Sequence, residues 1–228
     1  IISSEPLIVQ ETHGVWGPED REEQLVRSQC TTMLASAAST VWYYPDGLYI
    51  VPPPGTSKRL LEPEFSGILN PNDKPTDVDI IIYYADQTRS EYTFKLPAQR
   101  CEWIYWKDIV GVNPKRYALS YISAEPIVVQ HERQVYDFTG RPVQRCGFTE
   151  MAIPGPVHCK EDLKNLECVG AYNIGYFPGP SSLLILFNPT KYDANINLTV
   201  YYEKKEPKQH LIKLKAKSTH SYHEFRAL

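Results

Sequence analysis

Short apolar runs and alternating stretches dominate this chain, and polar turn residues separate them. Glu91 to Leu96 alternates polar with apolar side chains, as expected of a strand with one face in the core. It follows the apolar run Ile80 to Tyr84 across a polar segment, so the two predict a hairpin. Ile127 to Val129 is a β-branched run that ends in Gln130-His131-Glu132-Arg133. The pattern predicts an all-β chain of antiparallel strands with little helix.

Parts of this pattern occur twice. Asn188-Pro189 stands 118 residues after Asn70-Pro71, and similar strand sequences follow both pairs at the same spacing. Glu125 to His131 matches Glu5 to Glu11 in the same way. The order of these segments predicts two β-sandwich domains, a complete unit over residues 41–156 and a permuted unit made of 165–228 plus 1–36. Half a sandwich would leave a strand edge open, so we expect the N-terminal segment to close the second unit. Closure between two chains, giving a swapped oligomer, is the alternative.

Composition excludes some classes of function. The chain has 228 residues and a formal net charge of −3, which does not favour nucleic-acid binding. Its apolar runs are shorter than a membrane span, so we expect no membrane insertion. Five cysteines form no CxxC pair, which is typical of reduced thiols and indicates a cytoplasmic protein. The first residue is Ile1 rather than Met, as in an excised piece of a longer protein.

The polar end of the Ile127 strand is the sharpest candidate for chemistry. Alternate side chains of a strand share a face, so His131 and Arg133 are expected to point the same way. Arginine offers a planar fork that suits carboxylates or vicinal oxygens. The alternative is a structural role, in which Arg133 pairs with Glu132 or another surface carboxylate and His131 is a satisfied rim residue.

Two further positions could join this cluster. Glu64 precedes an apolar strand and is the best candidate carboxylate, although a solvated turn residue is the more common case. Trp42, with Asp46 shortly after it, could place an indole face and a carboxylate at one rim, whereas core packing is the usual role of tryptophan. Common catalytic signatures and metal-ligand spacings are absent from the sequence, so we expect no cofactor and no metal.

Five stretches carry a family resemblance, namely Trp42 to Gly47, Glu64 to Asn70, Val78 to Tyr84, Leu96 to Arg100 and Glu125 to Arg133. Through these stretches, and above all through Pro126 to Arg133, the chain resembles the sensory rhodopsin transducer family. The resemblance implies a β-sandwich that oligomerises and binds small molecules, with sugars as the leading suggestion. It carries over a set of ligand-binding positions, namely Trp42, Asp46, Glu64, Asn70, Arg100, Gln130, His131 and Arg133. The permuted unit departs from this set, with Gly170, Ser182, Ser218, Glu11 and His13 in place of Trp42, Glu64, Arg100, His131 and Arg133.

The sequence is compatible with three functions. The first is a non-catalytic protein that binds a small polar ligand, such as a sugar, in a polar pocket of the 41–156 unit. The second is a signalling or scaffold protein that acts through protein–protein contacts as a homo-oligomer. The third and weakest is a carbohydrate-active enzyme in which Glu64 and His131 perform acid–base chemistry.

Overall fold

The structure is a computed structural model that describes residues 10–16, 26–33, 37–48, 64–110, 116–137, 143–155, 184–201 and 204–222. These residues form fourteen β-strands and one short helix, α1 (Lys107–Val110). The strands are β1 (Gln10–Trp16), β2 (Val26–Met33), β3 (Ser39–Leu48), β4 (Glu64–Asn70), β5 (Thr76–Tyr84), β6 (Arg89–Leu96), β7 (Arg100–Tyr105), β8 (Arg116–Asp137), β9 (Val143–Met151), β10 (Ile153–Gly155), β11 (Leu184–Asn188), β12 (Ala194–Val200), β13 (Lys208–Leu214) and β14 (Ser218–Tyr222). The all-β class and the β5–β6 hairpin are confirmed. No helix in the described part of the chain is long and apolar enough to cross a membrane.

The long strand β8 organises the eight-stranded sheet. Its first half, up to Ser123, pairs with β3 and β5, and its second half, from Val128, pairs with β4 and β9. Beyond an irregularity in the ladder, Ser39 of β3 also pairs with Ile127. All of these pairings are antiparallel. Pro126 lies between the two halves, where its missing N–H costs no ladder bond. One strand therefore belongs to two sets, the five-stranded β10-β3-β8-β5-β6 and the four-stranded β9-β8-β4-β7.

A single apolar core joins the two sets. Trp42 of β3 and Ile80 of β5 lie in the same buried cluster as Ile68 of β4 and Val129 of β8. The alternation of strand side chains produces this arrangement, because alternate residues of β4 and β5 face the core. Beta-branched and aromatic side chains suit such half-buried pleated surfaces. This core fixes the ends of β3, β4 and β8, where the candidate site lies.

The Asn-Pro turns show the same geometry at both places where they occur. Asn70 donates from Nδ2 to the carbonyl oxygens of Lys74 and Pro97, at 2.8 and 3.1 Å. Asn188 donates to those of Tyr192 and Lys215, at 2.7 and 3.1 Å. Each partner stands 118 residues after its counterpart. Both asparagine side chains are buried, so these carbonyl groups supply the hydrogen bonds that water would otherwise give to the amides.

A second correspondence links the N-terminal hairpin to β8 and β9. Gln10 is opposite Met33 in the β1–β2 pair, and Gln130 is opposite Met151 in the β8–β9 pair. Both ladders also have an irregularity after the sixth residue pair, at Trp16 and at Tyr136. The recurring registers support the predicted duplication. Closure of the permuted unit by residues 1–36, and with it the two-domain division, stays a prediction.

Candidate functional site

Glu64 begins β4 with its side chain fully buried, in contrast to a solvated turn residue. Three donors surround the carboxylate. The backbone N–H of Leu48 lies 3.1 and 3.2 Å from the two oxygens, and the Tyr117 hydroxyl donates to Oε2 at 2.5 Å. His131 Nε2 lies 2.9 Å from Oε1. A buried carboxylate is tolerated only where such hydrogen bonds replace water, so these donors account for its position.

His131 lies next to Glu64 because of the register between β4 and β8. Ser66 is directly opposite His131, and Glu64 is opposite Arg133, which puts Glu64 and His131 on a diagonal of the same sheet face. The Ser66 hydroxyl is 2.8 Å from His131 Nδ1, so both ring nitrogens have partners. Tyr44 stacks on the imidazole at a ring-centroid distance of 3.8 Å. The prediction that His131 lies at a rim is wrong, because it is buried under this ring.

Ser66 joins His131 to two aromatic side chains. Its hydroxyl accepts from Trp106 Nε1 at 2.9 Å and lies 2.8 Å from the Tyr121 hydroxyl. One set of proton positions satisfies every group in this chain. His131 donates from Nε2 to Glu64, Ser66 donates to Nδ1, and the Tyr121 hydroxyl donates to Ser66. The serine hydroxyl then makes one bond as donor and two as acceptor, which is its full capacity.

Beside this buried network, three charged side chains form a cluster that reaches the surface. Arg133 binds Asp46 with both terminal nitrogens, at 3.2 Å to Oδ1 and 2.7 Å to Oδ2, and also contacts its backbone oxygen at 2.9 Å. Arg116 donates to Oδ1 of the same carboxylate at 2.9 Å. The side chains of Arg133, Asp46 and Arg116 are 12%, 23% and 29% exposed. Asp46, Arg116 and Arg133 are called the surface cluster below.

Burial and charge shift the pKa of several groups here. Burial raises the pKa of the Tyr117 hydroxyl, and the adjacent Glu64 carboxylate raises it further. Burial also raises the pKa of Tyr121, an effect that its hydrogen bond to Ser66 only partly opposes. Burial alone would lower the pKa of Arg133, but the hydrogen bonds and charge of Asp46 outweigh it, so the pKa is raised. The tyrosines therefore act as neutral donors and Arg133 as a permanent cation.

The remaining predicted positions lie apart from this arrangement. Trp42 is fully buried and donates its indole N–H to the Ile127 carbonyl at 2.8 Å, so its predicted place at a rim is wrong. Asn70 holds a turn at the far end of β4, about 20 Å from Glu64 along the strand. Arg100 is exposed and bonds the Gln99 backbone oxygen. Gln130 is half-buried on the sheet face opposite to that of His131.

Several members of the site were not predicted from the sequence, namely Ser66, Trp106, Arg116, Tyr117 and Tyr121. The alternation of side chains along a strand was the available signal for three of them. Tyr117 and Tyr121 occupy odd positions on the same strand as His131, and odd positions of β8 face the core. Ser66 has the same parity as Glu64 on β4. Trp106 follows β7, and its side chain reaches Ser66 only through tertiary packing.

This geometry favours a fixed scaffold over acid–base chemistry. Glu64 and His131 do meet, but the polar atoms of both are engaged within the protein and their side chains have no exposed area. The described residues contain no group of three or more metal-ligating side chains. The surface cluster is the part of the arrangement that solvent reaches, so it is where a ligand could make contact.

The chain has relatives among known proteins. The profile of the Anabaena sensory rhodopsin transducer family matches residues 37–142. The solved structure of the Anabaena sensory rhodopsin transducer is 32% identical, with 43% of this chain and 90% of that chain covered and a TM-score of 0.38. The chain therefore belongs to the sensory rhodopsin transducer family, as its sequence indicated. A crystal structure described as Thermotoga maritima 1070 is 20% identical, with 52% of this chain and 96% of that chain covered and a TM-score of 0.44. A comparison with curated proteins finds no match.

Proposed function

We propose that the protein binds a small polar ligand, such as a sugar or sugar acid, at the surface cluster. The observation that carries this proposal is a partly exposed carboxylate held by two arginines. Arg133 binds both Asp46 carboxylate oxygens, whereas the Arg116 side chain makes one hydrogen bond among the described residues, to Oδ1. A guanidinium has five N–H donors, so Arg116 has capacity left for ligand oxygens.

The charges of the cluster select the chemistry of this ligand. Two guanidinium groups and one carboxylate leave an excess of one positive charge. The planar fork of arginine matches carboxylates and vicinal hydroxyl groups, and Asp46 can in turn accept from a sugar hydroxyl. A ligand that combines hydroxyl groups with one carboxylate fits both features.

The buried network keeps this surface in place. Glu64 is opposite Arg133 in the strand register and binds the backbone of Leu48, two residues after Asp46. The segment that carries Asp46 is thereby tied to the β4–β8 ladder. Ligand sites function best when their side chains are held by such supporting contacts. Glu64 and His131 are therefore proposed as positioning residues rather than ligand contacts.

A melting-temperature screen of neutral sugars and sugar acids tests this proposal. We expect at least one compound to raise the melting temperature of the wild-type protein and to lose that effect in Arg116→Gln. Arg89→Gln is the matched control, because Arg89 is an exposed arginine that pairs with Glu91 away from the cluster. No stabilising compound, or an equal effect on Arg116→Gln, would overturn the proposal.

A signalling or scaffold role is the second candidate, and the exposed face of the β4–β7 pair favours it. Trp103 is 50% exposed, and Leu69 and Tyr105 are also open to solvent. Phe65 lies between these aromatics at 5.4 Å from the Trp103 ring, so the face is continuous. Such patches mark protein contacts. One relative of the chain is called a sensory rhodopsin transducer, which is the name of a signalling protein. Assembly in sedimentation without any response to sugars would favour this candidate.

A further inference from the structure

Strand β3 contacts the C-terminal strands on the face opposite to the buried network. Tyr44 stacks on His131 in that network, and the side chain of its neighbour Tyr43 points to the other face. There the Phe187 ring of β11 lies 6.1 Å from the Tyr43 ring and 5.1 Å from the Tyr83 ring of β5. Tyr83 is 2% exposed, so this contact is closed to solvent at its centre.

The alternation between two neighbours continues over the next two residues, Pro45 and Asp46. The β3–β8 register shifts at these residues, which form a β-bulge. The Thr219 hydroxyl of β14 lies 3.5 Å from the Pro45 carbonyl oxygen and shares its proton with the Leu186 carbonyl of β11, at 3.2 Å. Arg133 Nη1 donates to the Asp46 carbonyl oxygen at 2.9 Å. One carbonyl group of the bulge thus contacts the C-terminal strands, and the next contacts the surface cluster.

We propose that β11 and β14 position Asp46 for ligand binding, with Phe187 as the main positioning residue. This role rests on the ligand site proposed above. The four residues from Tyr43 to Asp46 contact the C-terminal strands and the site in alternation, so a shift of one contact moves the other. Support from outside the sheet matters most at a bulge, because the regular ladder is interrupted there.

Such coupling works in both directions. If the packed C-terminal strands raise the affinity of the surface cluster, a ligand at the cluster stabilises their packing by the same factor. The described part of the contact is small, with the Phe187 ring, the shared Thr219 hydroxyl and the Lys217 ammonium 5.8 Å from the Tyr83 ring centroid. The differential binding free energy of a small ligand is large enough to shift a contact of this size.

Hydrogen exchange of backbone amides, followed by NMR without any ligand, tests the positioning. The Leu48 N–H follows the bulge and donates to Glu64. We expect Phe187→Ala to speed its exchange by about fivefold or more, while the Gln99 N–H in the turn after β6 exchanges as in the wild type. Leu211→Ala is the matched control, because Leu211 is a 64% exposed residue of β13, and it should leave both rates unchanged.

Calorimetry tests the effect on binding, with the sugar or sugar acid that raises the melting temperature of the wild type most. Phe187→Ala should weaken binding by about fivefold or more. The same compound should slow amide exchange in the β11–β14 ladder of the wild type but not of Arg116→Gln. Phe187→Leu keeps an apolar side chain without the ring, so it should lie between the wild type and Phe187→Ala in both measurements.

The two measurements separate this role from the proposed function. An unchanged Leu48 exchange rate in Phe187→Ala would overturn the positioning role whether or not a sugar binds. Faster Leu48 exchange combined with wild-type affinity would overturn it as well. If no sugar or sugar acid binds the wild type, the proposed function fails, whereas faster Leu48 exchange in Phe187→Ala would still support the hold of the C-terminal strands on the bulge.

Discussion

Replacing Glu64 by glutamine tests the buried network with a minimal change of shape. The carboxylate accepts from Leu48 N–H, the Tyr117 hydroxyl and His131 Nε2. A glutamine amide keeps one acceptor oxygen and places an N–H₂ group against one of these donors. One hydrogen bond to a charged acceptor is lost, at about 1.5–3 kcal/mol, and the remaining bonds weaken to neutral strength.

Relief of the desolvation cost of the buried charge offsets part of this loss. We therefore expect Glu64→Gln to lower the free energy of unfolding by about 2–4 kcal/mol. Urea titration followed by tryptophan fluorescence measures the change, because Trp42 and Trp106 are fully buried and report on the core. Glu102→Gln is the control, since Glu102 is an exposed residue of β7.

A decrease of less than about 1 kcal/mol for Glu64→Gln, or a gain in stability, would refute this reasoning. Such a result would mean that the three hydrogen-bond donors around residue 64 are satisfied equally well without a carboxylate. An equal decrease for Glu102→Gln would show that the loss of a negative charge anywhere destabilises the protein. The urea dependence should stay the same in all variants, so that the midpoints report stability alone.

Three further predictions concern stability. The pKa of the Tyr117 hydroxyl is raised above the usual 10.0, so on raising the pH the unfolded state loses this proton before the folded state does. The free energy of unfolding should therefore fall as pH rises above 10.0, and alkaline urea titrations in which it stays constant would contradict this. Gly47→Ala should lower the free energy of unfolding by about 2 kcal/mol or more, because the new Cβ would overlap the buried Tyr117 ring. Gly67→Ala should lower it by less than about 1 kcal/mol, because its Cβ meets the half-exposed Trp103 ring at 2.8 Å and that ring can shift. Urea titration measures both changes. Asn70→Ala and Asn188→Ala should each destabilise by about 2–3 kcal/mol, because each removes a buried amide that donates to at least two turn carbonyl groups. Thermal melts that change for only one of the two variants would show that the turns are not equivalent.

The strands were predictable because their signal is local. Ile80 to Tyr84 and Glu91 to Leu96 form the expected hairpin, and Asn70 ends a strand as its turn chemistry indicates. The family was also predictable, since the Gln130 to Arg133 motif stands in the expected context. The strands and the family can both be inferred from short segments of sequence, without knowledge of contacts between distant residues.

The site was only partly predictable because it depends on non-local register. Glu64 and His131 were both candidates, but their meeting follows from the β4–β8 pairing, which sequence spacing does not specify. Arg116 gave no signal of its own, since exposed arginines are common. Trp42 was expected at a rim, but a large apolar ring with one N–H is more stable in a core that offers a carbonyl acceptor, as Ile127 does.

The central claim is that the surface cluster, and not the buried Glu64–His131 pair, contacts the ligand. A calorimetric binding isotherm of Arg116→Gln, with the sugar or sugar acid that stabilises the wild type most, tests it directly. We expect affinity to fall by about tenfold or more while the melting curve of the free variant stays unchanged, since Arg116 is partly exposed. An Arg116→Gln variant that binds with wild-type affinity would contradict the claim.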